Sequence, residues 1–133
     1  MGIDKEVVML VAGRTVAFVP ARDLERADHF YVGLLGLTRK SRDDYGLVVE
    51  GNGVEVRIAA AQEFTPQPFT ILGFDVSDVT GTARALAEKG VKFRRYPGME
   101  QDADAIWRAP SGSRIAWFGD PDDNVLSIAQ HPA

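Results

Sequence analysis

Glu55 and Arg57 stand two residues apart in the run Val54–Ala60 (VEVRIAA). They alternate with Val54, Val56 and Ile58, so in a strand they share the face opposite those three. If Val56 and Ile58 pack under a helix, the pair points into a cavity. There Glu55 is a candidate general base and Arg57 a candidate holder of an anionic group. On a solvated face the same two residues are a plain surface ion pair worth little. Trp107 and Trp117 are the only tryptophans, and both lie near Tyr96. Such aromatics either fill a core or wall a pocket for a planar or apolar ligand. Trp117 sits between Ala116 and Phe118, so alternation sends one of Trp117 and Phe118 to each face of its strand. Trp107, beside the charged Arg108, is the better ligand-wall candidate.

Other chemistry is excluded by what is absent. There is no cysteine, which removes disulfides, thiol catalysis and thiolate-bound zinc. The histidines are 2, His29 and His131, too few for a His-rich metal site. His29 falls off the apolar stripe of its helix and reads as a surface residue. His131 lies near the C-terminal end, where chains commonly fray, and reaches a site only by folding back or across a dimer. Residues 111–113 (SGS) read as a turn with no nucleophile context, and no phosphate-cradling loop is present. With 15 Lys+Arg against 19 Asp+Glu, the chain lacks the basic balance a nucleic-acid partner requires. No apolar run approaches the roughly 18 residues that cross a membrane. Lys5 and Glu6 precede a short apolar run at 7–12, which does not make a signal peptide. A cytoplasmic protein is the expectation.

The elements that must position these residues recur. Residues 14–20 (RTVAFVP) read as a strand, and Asp23 as the N-cap of a helix whose apolar stripe includes Leu24, Ala27, Phe30, Tyr31 and Leu34. Gly36 ends that helix. Strands follow at 37–42, 46–50 and Val54–Ala60, the last two joined by the turn Gly51-Asn52-Gly53. Then the pattern restarts. Residues 69–76 (FTILGFDV) read as a strand, Asp78 as an N-cap, Val79, Ala83 and Leu86 as a stripe, and Gly90 as a stop. Strands are expected at 91–95, 114–118 and Val125–Gln130, with a short one at 106–109. One βαβββ module thus appears twice, at about 14–61 and 69–130. At 133 residues the chain is one domain, 1–133. The expected class is α+β: an eight-stranded, curved, mixed sheet with helices outside and a concave pocket inside. Residues 96–105 (YPGMEQDADA) read as a flexible loop able to gate the pocket mouth.

These motifs resemble the vicinal oxygen chelate superfamily, which includes glyoxalase I, extradiol dioxygenases and bleomycin resistance proteins. Phe18-Val19-Pro20 leading into Asp23-Leu24-Glu25-Arg26-Ala27, then Phe30-Tyr31 and Leu35-Gly36-Leu37, resemble its first module. Residues 73–79 (GFDVSDV) resemble the start of its second. Residues 115–118 (IAWF), then Asp120-Pro121-Asp122 and Asn124, resemble its last hairpin, with Asp123 in place of the usual Gly. The resemblance implies the duplicated fold. Active members of the family hold a divalent metal with His and Glu side chains on the first, fourth, fifth and eighth strands. Here the first strand has no such residue, Ile71 stands near the fifth-strand position, Ser127 stands at the eighth, and only Glu55 remains on the fourth. No metal and no cofactor are therefore expected.

Two function classes follow. One is a metal-independent protein of the glyoxalase/bleomycin-resistance type that binds a partly aromatic or apolar small molecule through Trp107, Trp117 and Arg57. The other is a lyase, isomerase or dioxygenase-type enzyme of the same superfamily, with Glu55 as its catalytic residue. By analogy with the family, a homodimer is expected in either case.

Overall fold

The computed structural model describes residues 10–133. Lys5, Glu6 and the first half of the apolar run at 7–12 lie outside the described residues. The chain opens on a 3-10 turn, Leu10–Ala12, and then builds the same module twice. The first is β1 (Val16–Ala21), α1 (Leu24–Asp28), β2 (Thr38–Arg42), β3 (Gly46–Gly51) and β4 (Val54–Ala60). The second is β5 (Thr70–Asp75), α2 (Val79–Glu88), β6 (Trp107–Arg108), β7 (Arg114–Gly119) and β8 (Val125–Gln130). Each module forms one four-stranded mixed sheet, ordered β1-β4-β3-β2 and β5-β8-β7-β6. The outer strand β1 runs parallel to β4, as β5 does to β8, while the remaining pairs are antiparallel. The curved eight strands are thus two hydrogen-bonded sheets, which approach each other at β1 and β5.

Local chemistry accounts for the boundaries. Asp23 caps α1 by accepting from the backbone N–H of Glu25 and Arg26, and Asp78 caps α2 by accepting from Gly81. After Asp28 the first helix widens into a π-helical stretch, His29–Leu34, and ends at Gly36 with φ +80°. The turn between β3 and β4 needs positive φ at both central residues, met by Asn52 at 51° and Gly53 at 81°. Asp123 takes the left-handed conformation, φ 67°.

One expected strand is corrected. Residues 91–95 form only an isolated bridge, Phe93 to Phe118. The Gln101 amide takes up the neighbouring backbone instead, donating to the Arg94 carbonyl at 2.9 Å and accepting from Tyr96 N–H at 2.8 Å. The short run near 106–109 supplies the module's second strand, β6.

The helix-covered faces of both modules share one core. Val19, Leu47 and Ile58 of the first meet Val79, Phe118 and Leu126 of the second, all essentially inaccessible. Phe30 of the first module stands 6.3 Å from Phe118, ring centre to ring centre. A polar lock crosses the same junction. The buried Tyr31 hydroxyl donates to Asp120 Oδ2 at 2.6 Å, and Asn124 Nδ2 donates to the Pro20 carbonyl at 2.9 Å. Burial, reinforced by the Asp120 charge, pushes the Tyr31 phenol far above its ordinary range. The hydroxyl therefore stays protonated and acts as a donor.

Candidate functional site

Because Val56 and Ile58 are buried under the first helix, alternation turns Glu55 and Arg57 to the other, concave face of their sheet. Arg57 Nε donates to Glu55 Oε2 at 2.8 Å, and Arg14 Nη2 stands 3.6 Å from Glu55 Oε1. The pair lies in a groove of about 480 Å³ walled by Phe18, Lys40, Tyr45 and Val48. Phe18 is 62% exposed and Tyr45 84%, a large uncovered apolar area for two aromatic rings. The Arg57 guanidinium carbon is 5.9 Å from the centre of the Phe18 ring. Its Nε is committed to Glu55, and the side chain lines the groove. Glu55 has a guanidinium on each oxygen, an arrangement suited to orienting Arg57 rather than to taking a proton from a substrate.

The concave face of the second module follows from its register. Trp117 stands opposite Ser127, and Ser127 opposite Gly73. In the next outward row, Trp107 opposes Ile115, Ile115 opposes Ala129, and Ala129 opposes Asp75. Ala116 and Phe118 are fully buried on the other side, so Trp117 is the aromatic of that strand that faces outward. Trp107 and Trp117 lie 6.1 Å apart with planes at 37°, and Tyr96 meets Trp117 edge-on at 5.6 Å. Both tryptophans are half-buried. They form a continuous aromatic wall.

The segment 96–105 borders this wall, and it is braced rather than loose. Gln101 Nε2 donates to the carbonyls of Arg94 and Ala105, and Arg95 Nη2 donates to that of Asp102 at 2.7 Å. Those bonds occupy backbone groups that a flexible gate would leave to water.

The chain therefore joins Glu55 to Arg57 and Trp107 to Trp117, but it does not join the two pairs. The groove around Arg57 is lined wholly by the first module. The family's metal positions do not fit a divalent cation here: Ile71 and Ser127 offer no strong ligand, and both Glu55 oxygens face guanidinium groups. Among the described residues, no three of His, Asp and Glu gather to hold one.

Sequence reasoning missed one constellation. His131 folds back onto the sheet. Its ring lies between Asp75 Oδ1, 3.0 Å from Nε2, and Ser113 Oγ, 2.7 Å from Nδ1. Ser113, assigned above to a turn without nucleophile context, is thus within hydrogen-bond reach of an imidazole. His29 does lie on the exposed surface. Only half of the signal lay in the sequence: a two-residue period puts His131 on the Ala129 face, but the pairing of Ala129 with Asp75 is seen only in the structure.

The family model of the Glyoxalase/Bleomycin resistance protein/Dioxygenase superfamily matches residues 12–128. Among solved structures, the chain is similar to a member of that superfamily from Sphaerobacter thermophilus DSM 20745, with 22% identity and a TM-score of 0.73, covering 92% of this chain and 100% of that one. It is similar to TnmS3, an antibiotic binding protein from Streptomyces sp. CB03234, with 24% identity and a TM-score of 0.71, covering 93% of this chain and 99% of that one. It is also similar to a glyoxalase/bleomycin resistance protein/dioxygenase from Nocardioides, with 18% identity and a TM-score of 0.72, covering 97% of this chain and 89% of that one. No curated protein matches the chain. At these identities the structural likeness speaks for the fold.

Proposed function

This chain belongs to the Glyoxalase/Bleomycin resistance protein/Dioxygenase superfamily, and on that premise we propose that it is a metal-independent binding protein for a partly aromatic small molecule. The observation that carries the reading is the aromatic surface on both concave faces, largely exposed on the first module and half-buried on the second. Trp107, Trp117 and Tyr96 line one face, and Phe18 and Tyr45, beside the Arg57 fork, line the other. The aromatic wall receives the ligand's rings, and Arg57 takes an anionic or strongly polar end. Glu55 holds Arg57 in position rather than acting on the ligand.

Neither face is closed by this chain alone. We therefore propose a homodimer in which a second copy brings its aromatic wall over the groove, enclosing the ligand between Arg57 of one copy and the tryptophans of the other. The likeness to TnmS3, described as an antibiotic binding protein, supports a binding role on this scaffold. Micromolar affinity requires about 8 kcal/mol, and stacking on one ring contributes about 1–3 kcal/mol, so several contacts must act together.

The test is a fluorescence-monitored screen of aromatic metabolites and antibiotics against the full chain, repeated on Trp107→Ala. Quenching with micromolar affinity, weakened at least tenfold by the substitution, is the expected result. A hit whose affinity ignores Trp107 removes the wall from the binding surface.

A further inference from the structure

We propose that the concave face of the second module also carries a nucleophile: Ser113, deprotonated by His131 and oriented through Asp75, accepting an acyl group from an activated ester. This goes beyond the binding reading and does not depend on it.

The polarity of the relay follows from its partners. A neutral imidazole has one N–H and one lone pair. Asp75 can only accept, so the nitrogen 3.0 Å from its Oδ1, Nε2, carries the hydrogen. Nδ1 is then the lone pair, and the Ser113 hydroxyl at 2.7 Å donates to it. The base is thus next to the nucleophile's proton, and the largely exposed carboxylate favours the tautomer with its hydrogen on Nε2. The two ring nitrogens have exchanged the roles they play in the familiar serine hydrolase triad, but the direction of proton flow is the same.

Position supports a chemical use. Ser113 is two residues before Ile115 and four before Trp117, so it faces the side of β7 that carries the aromatic wall. It is 8% exposed, so its hydroxyl sits at the base of that face rather than on open surface. His131 lies over it, and the ring of an aryl ester can rest on Trp107 with its carbonyl toward Ser113.

The step balances without a further reactant beyond water. Ser113 Oγ bonds to the ester carbonyl carbon while its proton passes to His131 Nδ1. The tetrahedral adduct collapses, the bond to the leaving oxygen breaks, and that oxygen takes the proton from His131. Water then attacks the acyl-serine, giving its proton to His131. The acid is released, and Ser113 recovers its hydrogen.

The experiment treats the full chain with 4-nitrophenyl acetate, follows nitrophenolate release, and maps acetylation by mass spectrometry. Acetyl on Ser113, formed about a hundredfold more slowly in His131→Gln, is expected. Acetyl on lysine or histidine alone, or a rate indifferent to His131, overturns the proposal. A second readout needs no turnover. Because the chain has no cysteine, Ser113→Cys creates a single thiol. Its alkylation by iodoacetamide should rise with pH at a midpoint at least one unit below the ordinary thiol value of about 8.5. It should return to that value when His131→Gln is added. A midpoint unmoved by His131 means that Asp75 and His131 merely clasp the end of the chain to the sheet, and the proposal fails.

Discussion

Tyr31→Phe removes a single oxygen from the junction between the two modules, and its cost can be worked out from the contacts. Asp120 is 6% exposed and its carboxylate is held by four donors. Oδ1 accepts from the backbone N–H of Asp122 and Asn124, both at 2.9 Å, and Oδ2 accepts from Asn124 Nδ2 at 2.9 Å and the Tyr31 hydroxyl at 2.6 Å. The substitution keeps the ring and its edge-on contact with Phe30 at 5.1 Å, so little packing is lost. What is lost is the shortest of the four bonds, made to a charged acceptor that water reaches poorly. Such bonds contribute about 1.5–3 kcal/mol, which places the destabilisation near 2 kcal/mol. For a chain of this length that corresponds to a fall in Tm of roughly 6–10 °C. Urea unfolding at pH 7 measures it, with an unchanged dependence on denaturant if the variant unfolds as one unit. A loss under about 0.5 kcal/mol would refute the reasoning, because it would mean that the hydroxyl is not the buried donor described.

Asp28 is buried and accepts from Arg39 at 2.8 Å and Arg42 at 3.2 Å, and these hydrogen bonds, Arg39 first, hold its carboxyl below the ordinary range. A lowered folded-state value means stability that is present above about pH 4 and is lost as acid titrates the group; Asp28→Asn should cost about 1–2 kcal/mol at pH 7 and flatten the acid limb of a stability–pH curve. Gly53→Ala meets no atom within 4 Å, so its φ of 81° alone should cost about 1–2 kcal/mol, read by the same urea titration. Sedimentation of the wild-type chain at tens of micromolar should give twice the monomer mass, and a monomer under those conditions removes the dimeric pocket. Arg57→Ala should weaken an anionic aromatic ligand at least tenfold while leaving a neutral analogue within about twofold, measured by tryptophan quenching.

Much of the fold was legible because its signals were local and repeated. Asp23 and Asp78 announce helix starts, Gly36 and Gly90 announce stops, and Gly51-Asn52-Gly53 sets a tight hairpin, so the duplicated module can be read without knowing any contact. The segment at 91–95 misled because its composition is strand-like, whereas it touches β7 only through the Phe93–Phe118 bridge and the Arg94 N–H, and the Arg94 carbonyl is taken by the Gln101 side chain, which no periodicity reveals. The loop at 96–105 misled for the same reason, since Pro and Gly suggest mobility and the guanidinium of Arg95 supplies order. For the site, alternation alone placed Glu55 and Arg57 on one face and separated Trp117 from Phe118. It did not bring Asp75, Ser113 and His131 together, because these meet across strands far apart in the chain and depend on the β5–β8 register.

The central claim, that the concave faces bind an aromatic small molecule, is tested most directly by the two indole N–H signals in a proton–nitrogen correlation spectrum. Trp107 and Trp117 are the only tryptophans, so each signal reports one wall residue. Titration with a planar aromatic antibiotic selected by the fluorescence screen should shift both indole signals and the Arg57 Nε–H together, saturating at a single micromolar affinity. Shifts confined to the outer helices, with both indoles unmoved at saturation, would contradict the account.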